Sequence, residues 1–132
     1  MGKTMNRRLR ALESRIEKIK QEIAALGTLR PGSLSQQYNV CGKPDCRCKA
    51  DPPKKHGPYY QLNFTRQGRS RTEFVRGVDL HAVEEQLRNY SKLRELVETW
   101  ITLGIELSQL QLQKTRSTDL APRTRKRRPA TV

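Results

Sequence analysis

Cys41-Gly-Lys-Pro-Asp-Cys46-Arg-Cys48, closed by Lys54-Lys55-His56-Gly57-Pro58, holds all three cysteines and one of the two histidines of a 132-residue chain. The spacing Cys41-x4-Cys46-x-Cys48-x7-His56 offers three thiols and one imidazole, the donor number and type of a tetrahedral zinc site. Gly42, Pro44, Pro52 and Pro53 exclude regular structure between these residues and permit tight turns. Lys43, Arg47 and Lys49 favour the thiolate form and offset its charge. An odd cysteine count argues against a closed disulfide framework. We therefore read Cys41, Cys46, Cys48 and His56 as ligands of Zn(2+). A disulfide from Cys41 to one of the other two, an iron–sulfur cluster and three buried free thiols are the alternatives. His56 competes with the ordinary fate of a single loop histidine, a hydrogen bond to backbone. His81 falls in the first turn of a helix and reads as a surface residue.

Upstream of this knuckle, residues 1–27 form one segment. Leu9, Leu12, Ile16, Ile19, Ile23 and Leu26 recur in steps of three and four, the spacing of a coiled-coil seam, and Gly27 with Pro31-Gly32 ends the helix. Residues 33–40 are short and ambiguous, and read as a loop whose Gln36, Gln37 and Asn39 are solvated, with contacts to bases as the alternative. Downstream, Tyr60, Leu62 and Phe64 alternate with Tyr59, Gln61 and Asn63, Arg66-Gln67-Gly68-Arg69 is a turn, and residues 70–76 return as a second strand carrying Phe74 and Val75. That hairpin completes a knuckle-and-hairpin module over 28–78. A long helix follows over 79–113, with Asp79 as its N-cap and the stripe Leu80, Val83, Leu87, Tyr90, Leu93, Leu96, Trp100, Leu103, Leu107, Leu110. Residues 114–132 lack periodicity, carry Arg123, Arg125, Lys126, Arg127 and Arg128, and are expected to be a disordered basic tail.

The run Gly32-Ser33-Leu34-Ser35-x-Gln37-Tyr38-Asn39-x-Cys41-Gly42-Lys43-Pro44-x-Cys46-Arg47-Cys48, with Lys55-His56-Gly57-Pro58-Tyr59-Tyr60 after it, resembles an uncharacterised family of small basic prokaryotic proteins known as a domain of unknown function. The likeness spans about residues 32–110. It implies that the Cys and His residues belong to one module, and it implies no activity.

Hydrophobic residues are 34% of the chain and aromatics 5%, too few for one large globular core, so paired helices with a stapled insert fit better. The expected fold class is α+β: two long antiparallel coiled-coil-like helices with a small zinc-knuckle and β-hairpin insert. Val97, Ile101, Ile105 and Leu112 widen the apolar face of the second helix beyond what the first can cover, which points to a homo-oligomer or a helical protein partner.

A net charge of +14 favours a polyanionic partner. By segment, residues 1–27 carry +4, 28–78 carry +7, 79–113 carry −3 and 114–132 carry +6. The insert and tail are thus faces for phosphate, and the long helix is a face for protein. Candidate nucleic-acid contacts are Lys43, Arg47, Lys54, Lys55, Tyr59, Arg66, Arg69, Arg71 and Arg76, grouped as a cationic turn beside a cationic knuckle, with DNA favoured over RNA. No apolar run reaches the length of a membrane span, and residues 1–10 lack the apolar middle of a signal peptide, so a cytoplasmic protein with reduced thiols and no membrane partner is expected. No paired acids near a basic cleft, Gly-rich phosphate loop or Ser/His/Asp set is found, and the chain is read as a non-enzyme. A redox role for Cys46-x-Cys48 is the least implausible enzymatic reading, and a protein-interaction adaptor is the main alternative to nucleic-acid binding.

Overall fold

A computed structural model describes residues 2–118. Helix α1 (Gly2–Ala24) is followed by strands β1 (Ser33–Asn39), β2 (His56–Arg66) and β3 (Arg69–Val75) and by helix α2 (Leu80–Thr118), an α+β arrangement. Single turns of 3-10 helix lie at Arg47–Lys49 and Gly77–Asp79. The helices contribute to two compact units, one built from residues 2–21 and 98–118, the other from 22–97. Among the described residues, no helix is long and apolar enough to cross a membrane.

In the first unit the α1 seam goes inward. Leu9, Leu12, Ile16 and Ile19 are buried, as is Leu103 of α2. Arg8 pairs with Glu106, and the Lys20 ammonium lies 5.5 Å from the centre of the Trp100 ring. Residue 8 meets 106 while residue 20 meets 100, so the two helices run in opposite directions here. Ile101, Ile105 and Leu112 remain exposed. At about 100° per residue they lie roughly 160–200° around the helix from Leu103, on the far side of the buried seam. The helix also runs to Thr118, five residues past its expected end. Thr115 Oγ1 donates to the Gln111 carbonyl at 3.0 Å, and Arg116 in the last turn complements the helix dipole, so an apolar repeat is not needed there. The remainder of the expected basic tail, from residue 119, lies outside the described residues.

The second unit holds a three-stranded antiparallel sheet in the order β1-β2-β3. Ser33–Asn39, within the stretch expected to be a loop, supplies its first strand: Ser33 pairs with Asn63, Leu34 with Leu62 and Gln37 with Tyr59. The physical reason is pairing at a distance in sequence. A two-stranded hairpin is marginal in water, and β2 has an unmet edge that residues 33–39 satisfy. At the other edge Leu62 faces Glu73, Phe64 faces Arg71 and Arg66 faces Arg69. The Gln67-Gly68 turn between them has φ of 51° and 77°, the doubly left-handed turn that matches strand twist.

Because side chains alternate, this register assigns every strand residue to a face. Leu62 is fully buried, and with it on the inner face lie Tyr60 and Phe64 on β2 and Val75 on β3. Arg66, Arg69 and Arg71 share that face towards the turn. The outer face carries Ser33, Ser35 and Gln37 on β1, Tyr59, Gln61, Asn63 and Thr65 on β2, and Ser70, Thr72 and Phe74 on β3, none of them charged. Cross-strand bonds join Gln37 Nε2 to Gln61 Oε1 at 2.9 Å and Thr72 Oγ1 to Asn63 Oδ1 at 2.7 Å.

The stretch after α1 ties the sheet to the start of α2. Ala25 and Leu26 donate to the carbonyls of Glu22 and Ile23, a tightened last turn that ends the helix before Gly27. Asn89 Nδ2 donates to the Thr28 carbonyl at 2.8 Å, and the Arg30 backbone N–H reaches the Gln86 carbonyl at 3.3 Å. The Arg30 guanidinium lies 4.9 Å from the centre of the Phe64 ring and 3.2 Å from Glu73. Gly32 then passes directly over the core at φ 144°, where a Cβ would lie 2.7 Å from Leu62 Cδ1. Gly32→Ala is expected to lower unfolding free energy by about 1–3 kcal/mol, the usual cost of overpacking with backbone strain added. An unchanged urea midpoint would contradict this packing.

Candidate metal centre

Backbone pairing sets up the site before any ligand is considered. β1 ends at Asn39, whose ladder partner is His56, the first residue of β2. The connection from 40 to 55 therefore leaves and returns at one end of the sheet, with Cys41 just after its departure and His56 at its return. A single 3-10 turn over Arg47–Lys49 folds the middle of the connection back. Cys46 N–H donates to the Lys43 carbonyl at 3.3 Å, Lys49 N–H to Cys46 at 2.9 Å and Lys54 N–H to Arg47 at 3.0 Å. These bonds carry Cys46 and Cys48 under the strand ends.

The sulfurs of Cys41, Cys46 and Cys48 and a ring nitrogen of His56 all lie within 4.8 Å of one another. Cys41 Sγ and Cys48 Sγ are 3.6 Å apart, and Cys46 Sγ is 3.1 Å from His56 Nε2. A tetrahedron with metal–sulfur bonds of about 2.3 Å has sulfur–sulfur edges of about 3.8 Å, close to the first separation. The second suits a hydrogen bond between thiol and ring. All three cysteines are free, and 3.6 Å is far beyond the roughly 2.05 Å of a disulfide. Cys48 is buried and the other three residues are half-buried.

Electrostatics differ among the thiols. The Cys46 thiol is lowered to about 6, first by the Cys48 backbone N–H and then by the Cys41 side chain, with burial opposing. At Cys48 the Cys41 backbone N–H favours the thiolate, donating to its sulfur at 3.3 Å. Burial and the neighbouring thiols outweigh it, and the Cys48 thiol is pushed up. Four soft or borderline donors closing on one point, one of them readily ionised, suit a thiophilic cation bound with release of protons. A tetrahedral ion held by all four would keep no open coordination position.

The basic candidates fall into two groups rather than one. Lys43, Arg47, Lys54 and Lys55 are exposed on the connection, and Tyr59 is exposed on the outer face beside it. Arg66, Arg69 and Arg71 are exposed at the other end of β2, which has 11 residues and so spans about 33 Å. The expectation of a cationic turn beside the knuckle is thus corrected: the whole length of a strand separates them. Arg76, also exposed, follows β3 at the end nearer Tyr59. Two features escaped the sequence reading. Arg30 looks like a loop residue, and only the fold reveals its place over Phe64. Phe74 and Val75 are both apolar, yet neighbouring strand residues cannot share a face; Val75 turns inward and Phe74 is 73% exposed.

Cys46→Ser is expected to abolish metal binding and loosen residues 40–55 while the helices persist. Metal analysis with far-ultraviolet circular dichroism checks this. Retained metal, or collapse of the helical signal, would contradict the independence of site and helices.

No curated protein and no solved structure matches the chain. A family model does match residues 9–89, more than half of the sequence. That span takes in most of α1 and stops within α2, beginning and ending earlier than the likeness read from the motif. The two compact features it contains in full are the three-stranded sheet and the Cys/His cluster, and the chain belongs to the family described as Domain of unknown function (DUF6788).

Proposed function

We propose that the chain is a zinc-stapled nucleic-acid-binding protein, with DNA as the first target to test. Zinc is the ion because three thiolates and an imidazole in a closed tetrahedron match its preferences. Its role is structural: a 16-residue connection (40–55) with little regular structure of its own is long for a compact unit and gains most from being clipped. The same closure supports a non-enzymatic reading, since a catalytic zinc keeps one position for water or substrate.

The observation that carries the nucleic-acid reading is the pairing of Arg66 directly across from Arg69, with Arg71 next on the same face. Like charges opposite one another in a ladder lower stability, so an anion between them relieves a cost the free protein bears. The second basic group, Lys43, Arg47, Lys54 and Lys55, lies a strand's length away. A span of about 33 Å is bridged by a polymer of phosphates and not by a small anion. Arg76 and the exposed Tyr59 lie towards the knuckle end.

Anisotropy titrations of labelled DNA test this. With about four phosphate contacts, affinity should fall roughly 100-fold between about 50 and 200 mM salt. Arg69→Ala should reduce the salt slope by about one and leave thermal stability unchanged or raised. Absence of binding at the lower salt, or affinity indifferent to salt, would sink the reading.

The stripe Ile101, Ile105 and Leu112 favours a further partner, a helical protein or most simply a second copy of this chain. In that reading, light scattering at micromolar concentration gives a dimer and Ile105→Glu returns it to monomer. A wild-type protein that is strictly monomeric would count against it.

A further inference from the structure

The outer face of the sheet is uncharged across all three strands, in a chain where 30% of residues are charged. It is not apolar either: hydroxyl and amide side chains cover it, and its two aromatic residues sit together. Phe74 is opposite Gln61, so Tyr59, two residues back on β2, is its diagonal neighbour on the same face. Tyr59 is 43% exposed and Phe74 73%. Both line a depression of ≈ 470 Å³ whose wall includes Arg76. Tyr59 also lines a second depression of ≈ 410 Å³, shared with Lys43 and His56 at the metal centre. Tyr59 is therefore shared by two hollows, one with Lys43 and the other with Arg76 in its wall.

We propose that this face binds an unpaired nucleic-acid strand, with successive bases stacked on Tyr59 and Phe74 and phosphates met by Lys43 and Arg76. The inference rests on the nucleic-acid reading above and names the form of ligand it takes. Aromatic rings stack on any base but reach only bases that are not already stacked in a duplex. Charge complementarity selects the occupant: the cations in the walls of the two hollows attract a polyanion, and no carboxylate on the face repels it. Gln37 and Gln61, bonded to each other beside Tyr59, present amide groups that match base edges. The Cys/His cluster has a part here too, because Cys41, Cys46 and His56 line the same hollow as Lys43 and Tyr59.

The test uses the full chain loaded with zinc and labelled oligomers of about twelve thymidines, about twelve uridines and a duplex of equal length, at one salt concentration. Single strands should bind more tightly than the duplex. Tyr59→Ala and Phe74→Ala should each weaken single-strand binding about tenfold, Tyr59→Phe should retain it, and duplex binding should change little. Comparison of the thymidine and uridine arms distinguishes DNA from RNA as the source of the strand. Duplex binding equal to single-strand binding and indifferent to both aromatic variants would overturn this inference while leaving the nucleic-acid reading in place. No binding to any of the three would overturn both.

Discussion

The pairing of Asn39 with His56 is the constraint on which the second unit depends. It brings the two ends of a 16-residue connection to adjacent positions, and so places Cys41 and His56 on either side of one point. The short 3-10 turn then has only to lift Cys46 and Cys48 to that point. Closing such a connection costs entropy that its few backbone bonds offset only in part. The four donor side chains gathered there are consistent with a metal site, and the affinity of an ion bound by them would become folding energy for the connection.

That arrangement also decides how charge is distributed. The sheet sends Leu62, Phe64 and Val75 to one side, where Leu62 is sealed under Gly32, and hydroxyl and amide residues with Tyr59 and Phe74 to the other. Cations collect at the ends of β2 rather than along it. A cluster at the hairpin turn and a cluster at the metal connection are separated by the strand, with an aromatic pair between one cluster and the centre of the sheet. The Cys/His cluster thus shares one end of the sheet with the lysines of the connection, and the arginine turn lies at the other.

Much of this was legible in the sequence, for identifiable reasons. The steps of three and four from Leu9 to Ile19 can satisfy only a helix with one buried stripe, and those residues are buried. Cys41, Cys46, Cys48 and His56 announce themselves by type and clustering, and the fold gathers them. Alternation around Leu62 gave the right inner face of β2. What stayed hidden depends on pairing between distant residues. Ser33–Asn39 has weak strand preference and becomes a strand only because β2 offers it an edge. The distance between the arginine turn and the knuckle follows from the length of β2, whose start at His56 no local signal marks. Phe74 could have been assigned outward from Val75 beside it, but only once the register fixed which of the two faces Leu62.

The central claim is that one ion organises residues 41–56. Elemental analysis of the native protein, purified without added metal or chelator, tests it most directly. The account predicts one zinc per chain, removed only when the thiols are blocked or a strong chelator is applied, with loss of ordered resonances confined to the connection. A metal-free protein whose four side chains give the same sharp spectrum with and without added zinc would contradict it.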